Sequence, residues 1–230
     1  MSQTDDVIKL NNKEAKIHWT KLQKFYIYIL KPALDFFFAV LGVVLLSPLF
    51  LVIAIAIKID SKGPVFFKQE RVGKNNKIFT LIKFRSMTLS SNLDIDPSKD
   101  MIRMTKVGYF IRKLSLDELP QLLNIIGGKM SFIGPRPLLV DYLSYYTPEQ
   151  FRRHCVIPGV SGWAQVNGRN AISWEEKFQH DVWYVYNISF IIDLKILFMT
   201  LRNILNKKGI NNSAGKTMPL FTGNNKSVTS

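Results

Sequence analysis

The sequence predicts a helix-rich α+β protein with an N-terminal re-entrant membrane helix, a small β-hairpin and amphipathic surface helices around a compact domain. Three observations predict it. Residues 36–57 carry no charge. Two β-prone runs, 65–69 and 78–84, flank the turn sequence Gly73-Lys74-Asn75-Asn76-Lys77. Near the C-terminus, apolar residues recur at helical spacing over 174–187 and 193–205. The implied organisation is an amphipathic interfacial lead-in over 1–30, a membrane helix over 31–60, a domain over 61–206 and a polar tail over 207–230.

Composition narrows the partners. The 230 residues carry a formal net charge of +14. Preferred partners are therefore anionic: an acidic membrane surface, phosphorylated substrates or nucleic acid. Nucleic acid is the weakest of these, because the basic residues are dispersed among rigid Gly/Pro motifs and no nucleic-acid-binding module is recognisable. The single cysteine, Cys155, permits no intrachain disulfide, which fits a reducing compartment, and reads as a small buried apolar residue.

The lead-in alternates Lys13, Lys16, Lys21 and Lys24 with Trp19, Leu22, Phe25 and Tyr26, a pattern suited to a membrane interface. The uncharged run that follows is long enough for roughly 33 Å of helix. Ser47-Pro48 lies near its middle, and proline removes a helix hydrogen bond. Both flanks are basic: Lys21, Lys24 and Lys31 before, Lys58, Lys62 and Lys68 after. The positive-inside rule is met if both ends face the cytoplasm, so the expectation is a hairpin broken at Ser47 and Pro48 that dips into one leaflet. The β-hairpin next to it is basic, and Lys83-Phe84-Arg85-Ser86 at its end reads as an anion clamp, because arginine forks match phosphate.

Residues 88–101 are polar and read as a loop. The stretch Arg112-Lys113-Leu114-Ser115-Leu116-Asp117-Glu118-Leu119-Pro120 signals a helix start. Ser115 followed three residues later by Glu118 has the spacing of a capping box, and Pro120 is tolerated only in a first turn. Whichever residue caps, Asp117 and Glu118 fall near a helix N-terminus, whose free N–H groups favour carboxylates and phosphates. Adjacent helical residues do not face each other, so the two carboxylates address different partners, such as a substrate phosphorus and a metal ion. Leu119 to Ile126 continues the helix, and Gly127-Gly128 ends it. In Gly134-Pro135-Arg136-Pro137 two prolines hold the backbone extended and present one guanidinium to an anion. Residues 142–154 read as a helix. The glycine-rich stretch 158–170 can offer backbone N–H groups and Arg169 to a phosphate.

These ordered motifs together resemble the small monotopic phosphoglycosyl transferases of the bacterial sugar transferase family. The resemblance spans about residues 31–205, through Lys31-x-x-x-Asp35, Ser47-Pro48, Gly63-Pro64-Val65-Phe66-Phe67-Lys68-Gln69, Lys83-Phe84-Arg85-Ser86-Met87, the Asp117-Glu118 stretch, Gly134-Pro135-Arg136-Pro137, the run from Pro158 to Arg169 and Asp181-Val182-Trp183-Tyr184. It implies transfer of a sugar 1-phosphate from a UDP-sugar to polyprenyl (undecaprenyl) phosphate, with release of UMP. It implies a catalytic domain on the cytoplasmic face of the bacterial inner membrane, in contact with membrane lipids. Asp117 would be the nucleophile of a ping-pong reaction, and Glu118, with Asp117 beside it, would hold Mg²⁺. Lys83, Arg85, Arg112, Arg136 and Arg169 would contact phosphate and nucleotide, and Asp181 would support the metal or sugar site or the fold. The run Thr217-Met218-Pro219-Leu220-Phe221-Thr222-Gly223 resembles the branch that uses UDP-N,N'-diacetylbacillosamine. Lys129 and Tyr186 stand where relatives often carry acids. Two other readings compete. In a direct ternary-complex transferase Asp117 would act as a base, and a membrane-anchored nucleic-acid-binding protein would follow from the charge alone.

Overall fold

Helix packing begins before the uncharged run. In the computed structural model, which describes residues 17–88, 103–168, 171–205 and 220–223, Thr20 and Gln23 form a capping box at the start of α1 (Lys21–Phe25). A π turn, Tyr26–Leu30, carries α1 directly into α2 (Lys31–Asp60). Within the described residues the lead-in is therefore continuous with the membrane helix rather than a separate element.

Helical backbone runs on through Ser47-Pro48, so the position expected to break the helix does not interrupt its assignment. Pro48 has no N–H for the carbonyl of Val44, and its ring crowds that oxygen. The Ser47 hydroxyl donates to the same carbonyl at 2.8 Å, so the lost bond is replaced and helical backbone continues through the proline. One stripe of α2 faces protein toward each of its ends: Lys31, Ala39, Ile53 and Ile57 are buried, and Gly42 lies against Leu122. The rest, including Phe37, Leu41, Val44, Leu45, Val52 and Ile55, is exposed and apolar. Among the described residues this is the one helix long and apolar enough to cross a membrane.

Both ends of α2 are fastened to the same body. At the N-terminal end, Asp193 Oδ2 accepts from Lys31 Nζ and Tyr26 Oη, each at 2.6 Å, while Tyr184 Oη donates to Asp193 Oδ1. At the C-terminal end, Arg85 Nη2 donates to the Ser61 carbonyl at 2.7 Å, placing a cation at the negative pole of the helix.

The hairpin forms as its sequence predicts. β1 (Phe66–Val72) pairs antiparallel with β2 (Ile78–Phe84), with Phe67 opposite Lys83 and Arg71 opposite Phe79. Its tip holds Asn75 and Asn76 at φ of 54° and 60°, a conformation asparagine tolerates better than most residues. Phe79 and Leu81 pack with Ala39, Ile125 and Met130, and Phe84 packs with Ile53, Ile57 and Ile111. Burial of each such side chain contributes about 1.5–3 kcal/mol, so the hairpin and α2 form one core. Next come α3 (Lys106–Lys113), capped by Thr105, a 3₁₀ turn at Leu116–Glu118 and α4 (Gln121–Ile126). The loop expected over 88–101 lies almost wholly outside the described residues.

A second sheet was not legible in the sequence. β3 (Ser131–Ile133) and β4 (Gly159–Ser161) pair in parallel. Their backbones approach so closely that a Cβ on Gly159 would lie 2.1 Å from the Gly134 nitrogen. The helix expected over 142–154 is corrected to a 3₁₀ segment Val140–Tyr145, a short α5 (Pro148–Phe151) and a second 3₁₀ turn Arg152–Cys155. Pro148 forces the residue before it out of helical conformation, and Thr147 accordingly is extended and caps α5. α6 (Trp163–Val166), α7 (Trp174–Asn187) and α8 (Phe190–Leu205) complete the order. Of the polar tail, residues 220–223 are described, and one of them is packed: Phe221 is 4% exposed and sits among Tyr142, Tyr146, Trp174 and Phe178.

Candidate active site

Ser115 determines how the carboxylates are presented. It adopts left-handed backbone (φ 56°) and makes no capping bond, so the expected capping box is absent. The kink ends α3 and starts a 3₁₀ turn that carries Asp117 and Glu118 to the threshold of α4, near its N-terminus as expected. Pro120 closes this turn as the residue before α4.

The structure brings five of the sequence-predicted residues together. Glu118 Oε1 accepts from Lys83 Nζ at 2.7 Å and from Arg136 Nη2 at 2.6 Å. Lys83 comes from β2, Glu118 from the turn and Arg136 from the Pro-Arg-Pro segment, so three separate elements converge on one oxygen. Asp117, 7% exposed, lies within the field of the same cations and of Arg112 at the end of α3. Burial raises the Asp117 carboxyl above its ordinary range and Glu118 adds to that, against the pull of Lys83, Arg112 and Arg136. Burial would also raise Glu118, but Arg136 and Lys83 outweigh it and hold that carboxyl well below the usual carboxylate range. The two neighbouring acids are thus pushed in opposite directions. Glu118 stays ionised and engaged, while Asp117 makes no hydrogen bond or ion pair among the described residues.

Two other predicted residues fall elsewhere. Arg85 is buried at the end of α2 on Ser61 and stands apart from the carboxylates. Asp181 is 4% exposed, and its Oδ2 accepts from Arg153 Nε at 3.1 Å and Nη2 at 2.7 Å. Arg153 Nη2 also donates to the Arg136 carbonyl at 2.7 Å. Asp181 therefore acts on the site through Arg153, which braces the backbone that presents Arg136. Arg169 lies outside the described residues.

Sequence reasoning missed two cations and this brace. Arg71, pushed down to about 10 by burial and by Arg136, shares the hairpin face of Lys83, which the alternation of a strand predicts once the register is known. Lys177 on α7 is pushed down to about 8 by burial and by Arg136, and nothing in its local sequence links it to residue 136. Arg153 lies beside Cys155 in a segment read as plain helix.

The donor set bears on a metal. Among the described residues no group of three or more His, Cys, Asp or Glu side chains is placed to hold one, so a closed protein cage is absent there. Mg²⁺, however, is commonly held by one or two carboxylates plus substrate phosphates and water. Asp117 and Glu118 fit that mode, and both cation contacts of Glu118 fall on Oε1.

A long apolar helix fused to a small α+β body, with adjacent carboxylates set among cations, defines a membrane-associated protein equipped to handle phosphate groups. Residues 26–207 match the family described as bacterial sugar transferase, and the chain belongs to that family. It is 55% identical over 175 residues to an uncharacterized sugar transferase, EpsL, of Bacillus subtilis, covering 76% of this chain and 86% of that protein. It is 44% identical over 185 residues to the UDP-N-acetylgalactosamine-undecaprenyl-phosphate N-acetylgalactosaminephosphotransferase of Aeromonas hydrophila, covering 76% of this chain and 44% of that one. A UDP-glucose:undecaprenyl-phosphate glucose-1-phosphate transferase of Escherichia coli is 39% identical over 190 residues, covering 78% of this chain and 41% of the relative. The chain thus spans most of the Bacillus protein and about two fifths of the two named transferases.

Proposed function

We propose that the protein transfers a sugar 1-phosphate from a UDP-sugar to undecaprenyl phosphate on the cytoplasmic face of the bacterial inner membrane, as the first membrane step of glycoconjugate assembly. The observation that carries this reading is the opposed pair of carboxylates: a buried Asp117, unpaired among the described residues, beside a Glu118 locked between Lys83 and Arg136, in a chain of this family.

The chemistry follows from those positions. An Asp117 carboxylate oxygen attacks the sugar-bearing phosphorus of the UDP-sugar. A phosphorus–oxygen bond to it forms, the bond bridging the two phosphates breaks, and UMP leaves with that electron pair. An oxygen of undecaprenyl phosphate then attacks the same phosphorus and frees Asp117. Lys83, Arg112 and Arg136 offset the charge of substrate and leaving group in a partly dry site, where such contacts are strongest. Glu118 and Asp117 would hold Mg²⁺, which would supply further charge neutralisation. Two half-reactions spare the site from holding two phosphate substrates at once. A direct transfer, with Asp117 as base, keeps the same substrates.

For the sugar we favour UDP-N,N'-diacetylbacillosamine or a related N-acetylated sugar. The run 217–223 supports this, as does the seating of Phe221 on Trp174 and Phe178, next to the Lys177 that faces Arg136. We also favour a re-entrant placement of α2, supported by the attachment of both its ends to one body.

The test is a mass spectrum of the purified full chain after mixing with Mg²⁺ and a panel of UDP-sugars without lipid. The expected result is a phosphosugar adduct on Asp117, formed with one N-acetylated sugar and absent in Asp117→Asn. UMP release that requires undecaprenyl phosphate, with no adduct, replaces the two-step route by direct transfer. No adduct and no UMP with any sugar overturns the proposal.

A further inference from the structure

The end of α2 holds a cavity that the reaction above does not use. It measures about 520 Å³ and is lined by Pro64, Val65, Phe66, Phe67, Lys68 and Arg85. That volume is within the usual range for small-molecule sites. Its walls are mainly apolar, and its two charged residues are both cations.

Arg85 is the unusual member. It is 3% exposed and occupies only part of its donor set. Nη2 reaches the Ser61 carbonyl at 2.7 Å and the Ser61 hydroxyl at 2.9 Å, while Nε and Nη1 are buried with no partner among the described residues. Capping α2 needs one of the three nitrogens and leaves two unsatisfied. A buried guanidinium with open donors is costly unless an anion completes it. Among the described residues no carboxylate lines the cavity to do so, and Asp60, the nearest acid in sequence on α2, accepts from the Val107 N–H instead.

We infer that this cavity binds a lipid phosphate, with the phosphate on Arg85 and Lys68 and the first segment of the chain along Phe66 and Phe67. The chemistry recognised is an anionic phosphate carried on an apolar tail. Phe66 is 38% and Phe67 44% exposed, so an apolar surface leads out of the cavity beside the guanidinium. The place in the fold agrees: the cavity lies where the apolar helix ends at Ser61, with exposed Lys58 and Lys62 alongside. Lys83, at the carboxylates, lies on β2 two residues before Arg85 in sequence. If the lipid is the acceptor, the inference deepens the proposed function and rests on it. If it is a bilayer phospholipid, the cavity anchors the domain.

The experiment is a titration of the purified full chain in detergent, read by native mass spectrometry, with four probes: farnesyl phosphate, farnesol, inorganic phosphate and dioleoylphosphatidylglycerol. Farnesyl phosphate should saturate a single site, farnesol and inorganic phosphate should not, and Lys68→Glu should weaken binding at least ten-fold. Lys68 is exposed, so this variant keeps the fold, whereas Arg85→Lys also perturbs the end of α2 and serves as second variant. Phosphatidylglycerol binding of equal strength with the same Lys68 dependence supports the cavity and assigns it to bilayer lipid. Equal lipid binding by parent and both variants, or saturation by farnesol, overturns the inference. UMP release from UDP-sugars is scored separately. A chain that releases UMP but shows no Lys68-dependent lipid binding loses the cavity and keeps the reaction, and the converse result keeps the cavity alone.

Discussion

Asp181→Asn tests whether the buried acid of α7 holds the site together or touches substrate. In the structure both bonds from Arg153 end on Asp181 Oδ2, and Arg153 continues to the carbonyl of Arg136. The variant removes the charge and keeps the shape, leaving a guanidinium that is 2% exposed without its counter-ion. Removing one partner of a buried pair costs about 3–5 kcal/mol. The rings of Tyr146 and Phe178, with Arg153 within 5.9 and 5.7 Å of their centroids, retain part of the cation's stabilisation, which favours the lower end, about 3 kcal/mol. For a chain of this size each kcal/mol moves the melting temperature by roughly 2–4 °C, so the expected loss is about 6–12 °C. Tryptophan fluorescence melting in detergent reads it directly. A second change, Arg153→Met, should restore at least half of the loss, because an apolar pair replaces an uncompensated charge. A single variant that melts with the parent yet has lost turnover would refute the bracing role and make Asp181 a substrate contact.

Glu118→Gln leaves Lys83 and Arg136 facing each other without a carboxylate. Because these side chains are partly exposed, the stability loss should be small, about 1–2 kcal/mol, whereas turnover should fall by roughly 10²–10³; a variant with parental turnover would remove Glu118 from the chemistry. Glu118 has a depressed folded pKa, so its contribution is complete above the unfolded value near 4.5 and is lost only as pH falls through the folded one. Lys177 has a folded pKa lowered to about 8, so it is charged below that pH and loses its charge above it. The KM for UDP-sugar should therefore rise between about pH 8 and 9, and Lys177→Arg should flatten the profile, since arginine stays protonated there. An unchanged profile in that variant would place the titration elsewhere.

The sequence disclosed elements that are long or strongly patterned. α2 announced itself by an uncharged run, the hairpin by β-prone runs around a Gly/Asn turn, and α7 by helical periodicity. β3 and β4 are three residues each, too short to show a period, and they meet only because glycines at 134 and 159 let two distant backbones touch. Asp117, Glu118, Lys83 and Arg136 were legible because charged residues in rigid or helix-initiating frames are conspicuous. The Arg153 brace was not, since an arginine bridging Asp181 to the Arg136 carbonyl depends wholly on tertiary placement. Pro48 shows the same dependence on placement. Its effect on a helix is read from proline alone, yet the outcome turned on Ser47, whose hydroxyl takes the place of the missing N–H.

The remaining prediction concerns which side of the membrane each end of α2 faces. Thirty residues of helix extend about 45 Å at 1.5 Å per residue, more than the roughly 30 Å of hydrocarbon in a bilayer. Length alone therefore permits a straight span. Packing argues against it. Lys31 is fixed to Asp193 at one end and Ser61 to Arg85 at the other, and between them Ala39, Ile53 and Ile57 are covered by the hairpin and by α3 and α4. A straight span would draw that body, with Lys83, Glu118 and Arg136, into the hydrocarbon, where each ionised group is expensive. A re-entrant placement, with both ends of α2 on one side, leaves the body in water and gives the lipid only the exposed apolar face. In a Cys155→Ser background, single cysteines introduced by Lys24→Cys and Lys62→Cys, both at exposed positions, should escape a membrane-impermeant maleimide in intact cells and both react in inverted vesicles. Labelling of one in intact cells and the other only in inverted vesicles would establish a span and refute the packing argument.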